Sequence, residues 1–257
     1  VYGGKAHQPQ SIELDHNAAH GILRDQYPII CFGLHPMTGT LTLENLHIEY
    51  PEVLLFDRLN VAFPIGSLIG IETDVLDGAT SLLKGIGGML YDIDGRSILN
   101  GRNILTMPAS ERARKVGFVY EDEGLISLYD VFQNIALPLE FHTDLNVAQT
   151  RSLIDATIEA LNVPKALLQM QPHELNDVQT RLVNLARALV MSPELLLIDE
   201  LEGGMPDDMI DSTMRLLKGK ARKENMTVLL TSSNEHVLRE VDQVLKIQSN
   251  QLDESPV

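Results

Sequence analysis

ELLLIDE, residues 194–200, sets a short continuous apolar run directly before two carboxylates. A run this short, rich in Leu and Ile and without alternation, reads as a strand buried on both faces, the kind that sits inside a parallel sheet. TVLLTSS at 227–233 and QVLKIQ at 243–248 give two further short β-type runs. DMIDSTMRLLKGKARKE, between the first two, keeps apolar positions at helical spacing. Strands alternating with helices argue for an α/β chain on a mostly parallel sheet.

The remaining text supplies the other parts. TLTLENLHIEY (40–50) alternates in character as a strand does, and VLLFDRLNVAFPIGSLIGIE (53–72) gives two more apolar runs parted by Pro64 and Gly66. Together they predict a small N-terminal antiparallel β region that leads into a buried strand. A helix is expected from Thr80 to Met89, and VGFVY at 116–120 is another buried strand. DVFQNIALPLEFH, NVAQTRSLIDATIEALNV and DVQTRLVNLARALVM each carry apolar residues three or four apart, which predicts an inserted helical lobe over about 122–190. Residues 1–38 show weak periodicity and read as an N-terminal extension to a domain spanning 39–257.

Composition excludes some functions. With 20 Lys+Arg against 36 Asp+Glu the formal charge is -16, which opposes capture of nucleic acid, itself a polyanion. Cys31 is the single cysteine, so no intrachain disulfide forms, and a buried small side chain in a reducing compartment is the simpler expectation. No apolar run approaches the roughly 20 residues of a spanning helix, and the N-terminus lacks a basic region followed by an apolar core.

IGIETDVLDGATSLLKGIGG (69–88) has the rhythm of a phosphate-binding loop: an apolar strand, a turn, then Thr80-Ser81 opening a helix. With LARALVMSPELLLIDE (185–200) and VGFVYEDEGLISLYDVFQNIALPLEFH (116–142), the order of features from about Thr40 to Leu252 resembles the ATPase subunits of ABC transporters. The resemblance implies the P-loop NTPase-type fold of those subunits. NIALPLEFHTDL and MSPELLLIDELEGGMPDD look most like the ATPases of Mla/Mce-type lipid trafficking systems.

The resemblance also names positions, and most depart from the family pattern. A phosphate loop of the form G-x-x-x-x-G-K-[ST] uses glycines to curl backbone N–H groups round phosphates, a lysine to neutralise them and a hydroxyl for Mg²⁺. Here Thr73 stands for the first glycine, Gly78 for the second, Ala79 for the lysine and Thr80 for the hydroxyl. Glu72, Asp74 and Asp77 bring carboxylates to the same place, and a like-charge pair at about 5 Å costs roughly 3 kcal/mol at an effective dielectric near 20. Asp77 has a structural use too, as a cap for the helix beginning near Gly78. Leu175, Asn176, Asp177, Val178 and Gln179 stand where the family has LSGGQ, Glu121 stands for the Q-loop glutamine, and Ser233, or Ser232 with a one-residue shift, stands for the H-loop histidine. Pro206 lies near the usual D-loop aspartate. Asp199 and Glu200 keep the Walker B acids, which in the family hold the Mg²⁺ shell and polarise the attacking water, and Tyr50 keeps the aromatic that stacks on adenine. Any Mg²⁺ would fall to Thr80 and Asp199, and only with nucleotide bound.

The expectation is a degenerate ABC-type subunit, a pseudo-ATPase that takes ATP and Mg²⁺ weakly at best. The resemblance implies membrane transporter subunits as partners, a homodimer or pairing with another ABC ATPase subunit, and a cytoplasmic place on the inner face of a membrane. In the family the surface between Q-loop and helical lobe receives a coupling helix, and ISLYDVFQNIALPLEF keeps its apolar character there. One alternative is a slow ATPase in which Lys84 or Lys115 supplies the missing charge. Another is a soluble module using the old nucleotide cleft for a different ligand. His16 and His20, four apart, have no third ligand nearby, and KGKARK at 218–223 needs no partner as a helix end.

Overall fold

The computed structural model describes residues 30–31, 40–74, 77–121 and 124–254. The 1–38 extension, apart from the backbone of Ile30 and Cys31, therefore lies outside the described residues, and so do His16, His20 and the Cys31 side chain.

Two sheets make up the body. The first joins β1 (Ile30–Cys31), β3 (Val53–Pro64), β2 (Thr40–Tyr50), β5 (Asp94–Leu99) and β6 (Arg102–Asn103), in that order, antiparallel except for the β1–β3 pair. The alternation of TLTLENLHIEY slips between Leu43 and Leu46, which are three apart yet both fully buried. A bulge absorbs the extra residue: the pairing shifts there and Asn45 takes a positive φ of 49°. Gly95 lies against it at φ 93°, and a Cβ at that position would sit 2.2 Å from the Asn45 carbonyl oxygen, so only glycine fits.

The second sheet has the order β11 (Gln251–Glu254), β10 (Gln243–Gln248), β4 (Leu68–Glu72), β9 (Thr227–Ser232), β8 (Leu195–Asp199), β7 (Val116–Val119). All its pairs are parallel except β10–β11. Period-two geometry divides β8 between two cores: Leu195 and Leu197 join Leu43, Phe56 and Phe63 beneath the antiparallel sheet, while Leu196 and Ile198 join the helical side. Each such side chain, fully buried, contributes about 1.5–3 kcal/mol.

Helix α1 (Ala79–Ile86) buries Leu82, Leu83 and Ile86 in the first core. It ends before the expected Met89, because Gly88 adopts φ 69° and the N–H groups of Gly88 and Met89 fold back onto the carbonyls of Gly85 and Lys84. The short α2 (Ala109–Lys115) precedes β7 and was hidden in sequence, since none of its residues is buried. Between β7 and β8 come α3 (Val131–His142), α4 (Val147–Ala160) and α5 (Asp177–Leu189). All three open with the same reciprocal capping box, Asp130/Gln133, Asn146/Gln149 and Asn176/Gln179, which satisfies two orphan N–H groups per helix. α6 (Asp207–Glu224) and the short α7 (Glu235–Arg239) complete the chain's helices among the described residues. No helix of the described residues is long and apolar enough to cross a membrane.

Candidate functional site

The strand ends of the parallel sheet bring most of the expected positions together. β4 stops at Glu72, and α1 starts at Ala79 behind Gly78, whose left-handed backbone (φ 87°) turns the chain. Asp77 folds inward there: one carboxylate oxygen accepts the N–H of Asp74 at 2.8 Å and the other accepts the N–H of Ala79 at 2.9 Å. N–H groups at such a turn form an anion site, and here an internal anion fills it. Ala79 is 5% exposed and brings no cation. The expected repulsion from three acids needs correction, because Glu72 pairs with Lys246 at 2.8 Å, its register partner on β10. Tyr50, 40% exposed, reaches α1 through a 3.3 Å contact between its hydroxyl and that of Ser81.

Opposite the loop stands the end of β8. Asp199 is 4% exposed, and its Oδ1 accepts hydrogen bonds from the hydroxyls of Thr80 at 3.1 Å and Thr231 at 2.9 Å. The Thr231 oxygen also accepts the N–H of Glu200 at 3.1 Å. Glu200 sits at φ 45°, and its carbonyl accepts a hydrogen bond from the Arg181 guanidinium of α5. Its carboxyl is raised above the ordinary range, first by burial, then by the charges of Glu121, Glu202 and Asp199, with Arg181 opposing. Glu121 thus lies near enough for its charge to act on the Glu200 carboxyl. Of the two serines considered for the H-loop place, Ser232 is fully buried and donates to Glu202, whereas Ser233 is exposed.

Asn176 to Gln179 serve α5 itself. The Asn176 side chain accepts the Gln179 N–H at 2.9 Å, and the Gln179 side chain accepts the Asn176 N–H at 3.0 Å. Asp177 is exposed in the first turn, while Leu175 and Val178 pack partly on the lobe core.

A triphosphate would have to displace the Asp77 carboxylate from both N–H groups and would meet no lysine at position 79. Neither stand-in cation is placed for the task. Lys115 forms an ion pair with Glu194, and Lys84 occupies the last turn of α1, about 7 Å along the helix from its start. Among the described residues no group of three or more His, Cys, Asp or Glu side chains is arranged to hold a metal ion. Residues that sequence reasoning passed over are Thr231, Arg181 and Glu202. Thr231 was findable, since a polar residue ending a buried strand that pairs in parallel with β8 falls beside Asp199.

The sequence pattern of the ABC transporter family matches residues 56–202, and the chain belongs to that family. It is 28% identical over 222 residues to the sulfate/thiosulfate import ATP-binding protein CysA of Burkholderia mallei, covering 83% of this chain and 61% of that protein. It is 27% identical over 210 residues to the intermembrane phospholipid transport system ATP-binding protein MlaF of Haemophilus influenzae, covering 80% of this chain and 77% of that one. The chain thus spans about three fifths of the length of the first relatives it matches, a methionine import protein at 60% among them. In fold it superposes on the dimeric bacterial ABC transporter cassette MJ0796 with a TM-score of 0.76 at 20% identity, over 83% of this chain and 97% of that one.

Proposed function

We propose that this chain is an ATP-binding-type subunit of an ABC transporter that binds ATP weakly or not at all and acts structurally or as a regulator beside membrane transporter subunits. The observation that carries this reading is the Asp77 carboxylate seated on the N–H groups of Asp74 and Ala79, with alanine in the lysine position. The capping box at Asn176, built where the family carries a phosphate-facing signature, supports it further. Import and phospholipid-transport relatives match at nearly equal identity, so lipid trafficking enters through the NIALPLEFHTDL segment and the likeness to MlaF. Through its membrane partners the chain would sit on the inner face of a membrane.

One observation favours a second reading, slow hydrolysis. Thr80 and Asp199 remain in contact at 3.1 Å, the pair that would flank Mg²⁺ if a nucleotide entered. A melting experiment with ATP, with and without Mg²⁺, separates the two. A ligand at a hundred times its Kd adds about 2.7 kcal/mol of stability, so saturable stabilisation would overturn the first reading and its absence the second.

A further inference from the structure

Glu200, just past the end of β8, sits at φ 45°, a region that residues other than glycine seldom occupy. Its carbonyl accepts a hydrogen bond from the Arg181 guanidinium, which arrives from α5 in the helical lobe. Gly203 fixes that guanidinium on a second side. A Cβ there would stand 2.5, 2.8 and 3.0 Å from Nη2, Cζ and Nε of Arg181, so the planar group lies against bare glycine backbone. Backbone on two sides makes this a placed charge, in the rigid geometry that a guanidinium allows and an ammonium does not.

Acids stand around it. Of the charges that act on the Glu200 carboxyl among the described residues, those of Glu121, Glu202 and Asp199 are negative and that of Arg181 is the positive one. In the family Mg²⁺ belongs at this end of the cleft, and the residues here fit it poorly. Asp199 gives its Oδ1 to the hydroxyls of Thr80 and Thr231, and Glu202 takes the hydroxyl of Ser232. Among the described residues no three acids or histidines form a metal shell. Carboxylates gathered this closely still need a counter-charge.

We propose that Arg181 is the resident cation of this site, taking the electrostatic place of a divalent metal ion and keeping one out. The inference rests on the subunit reading above and deepens it: Asp77 supplies an internal anion at the loop end of the cleft, and Arg181 supplies an internal cation at the acid end. A metal ion arriving from solution meets a positive charge at short range and acids already offset by it.

The test is cation binding by the full chain with no nucleotide present, read from the electron paramagnetic resonance signal of Mn²⁺. Arg181→Met should bind Mn²⁺ at least about tenfold tighter than the parent chain, because metal affinity follows the net charge of the ligand group. Adding Glu200→Gln to that variant should abolish the gain. Arg181→Lys, which keeps the charge, should stay close to the parent. Gly203→Ala pushes the flexible end of Arg181 off the glycine without removing it, at an ordinary φ, and should give a smaller gain. Melting supplies a second readout: about 10 mM MgCl₂ should restore more of the temperature lost in Arg181→Met than about 30 mM NaCl, which has the same ionic strength. Unchanged Mn²⁺ affinity in Arg181→Met, or in Gly203→Ala where the former does not fold, overturns the proposal. Glu200-dependent Mn²⁺ binding by the parent chain also overturns it, and so does a gain in Arg181→Lys equal to that in Arg181→Met. Stabilisation by ATP would defeat the subunit reading and leave these nucleotide-free results unchanged.

Discussion

The carboxylate of Asp77 holds the N–H of Ala79 at 2.9 Å and, through its other oxygen, that of Asp74 at 2.8 Å. An aspartate two residues ahead of a helical N–H is a common local closure, and here it lies where the chain would otherwise present free donors to an anion. Asp77→Ala should lower stability by about 0.5–2 kcal/mol, as loss of a helix-start acceptor does, measured by urea denaturation. Ala79→Lys alone should leave the melting temperature insensitive to Mg-ATP, and the pair Asp77→Ala with Ala79→Lys should acquire a response. A response in Ala79→Lys alone would show that Asp77 yields readily.

Asp199 depends on two hydroxyls. Thr231→Val removes a donor to its carboxylate and the acceptor for the Glu200 N–H, which should cost about 1–3 kcal/mol because both groups are at the buried end of β8. Thr231→Ser keeps the hydroxyl and should cost less than half as much. A loss in Thr231→Ser as large as that in Thr231→Val would contradict a dominant role for the hydroxyl, since Ser keeps it and lacks only the methyl.

Asn134 is fully buried on α3 and ties down the segment before it. Its Oδ1 accepts the Ile126 N–H at 2.7 Å, and its amide donates toward the carbonyls of Ile126, Tyr129 and Asp130 at 3.0–3.1 Å. Asn134→Leu takes the acceptor from the Ile126 N–H and the donor from the Tyr129 carbonyl, while the Ile126 and Asp130 carbonyls keep their backbone bonds, so about 1–3 kcal/mol should be lost. Limited proteolysis should then cut within 124–130 under conditions where the parent chain is intact.

Glu194 bonds Asn100 at 2.8 Å and pairs with Lys115. Burial raises its carboxyl, but the hydrogen bonds from Lys115 and Asn100 and the Lys115 charge prevail, and its pKa is lowered. The folded state then binds this proton less readily than the unfolded one. The stabilisation is present above the ordinary carboxylate range and is lost as pH falls through the depressed value. Since both side chains are about a third exposed, the effect should be below about 1 kcal/mol. Glu194→Gln should flatten that part of the stability–pH curve, and an unchanged acid slope would contradict the assignment.

The sequence by itself determined the parallel sheet, because ELLLIDE, TVLLTSS and QVLKIQ carry their burial in composition and length. It also marked the helical lobe, since apolar residues three and four apart have one stable arrangement. It located the loop at Gly78 and the acids at 199 and 200, which local pattern alone can label. Tertiary structure decided where the charges go. Glu72 is answered by Lys246 across 174 residues of chain, Lys115 is drawn to Glu194, and Arg181 reaches the Glu200 carbonyl from another helix. It also buried Ser232 against Glu202 while leaving Ser233 exposed. Electrostatic partners are set by distance in space, and spacing along the chain does not encode that distance until strands pair and helices pack.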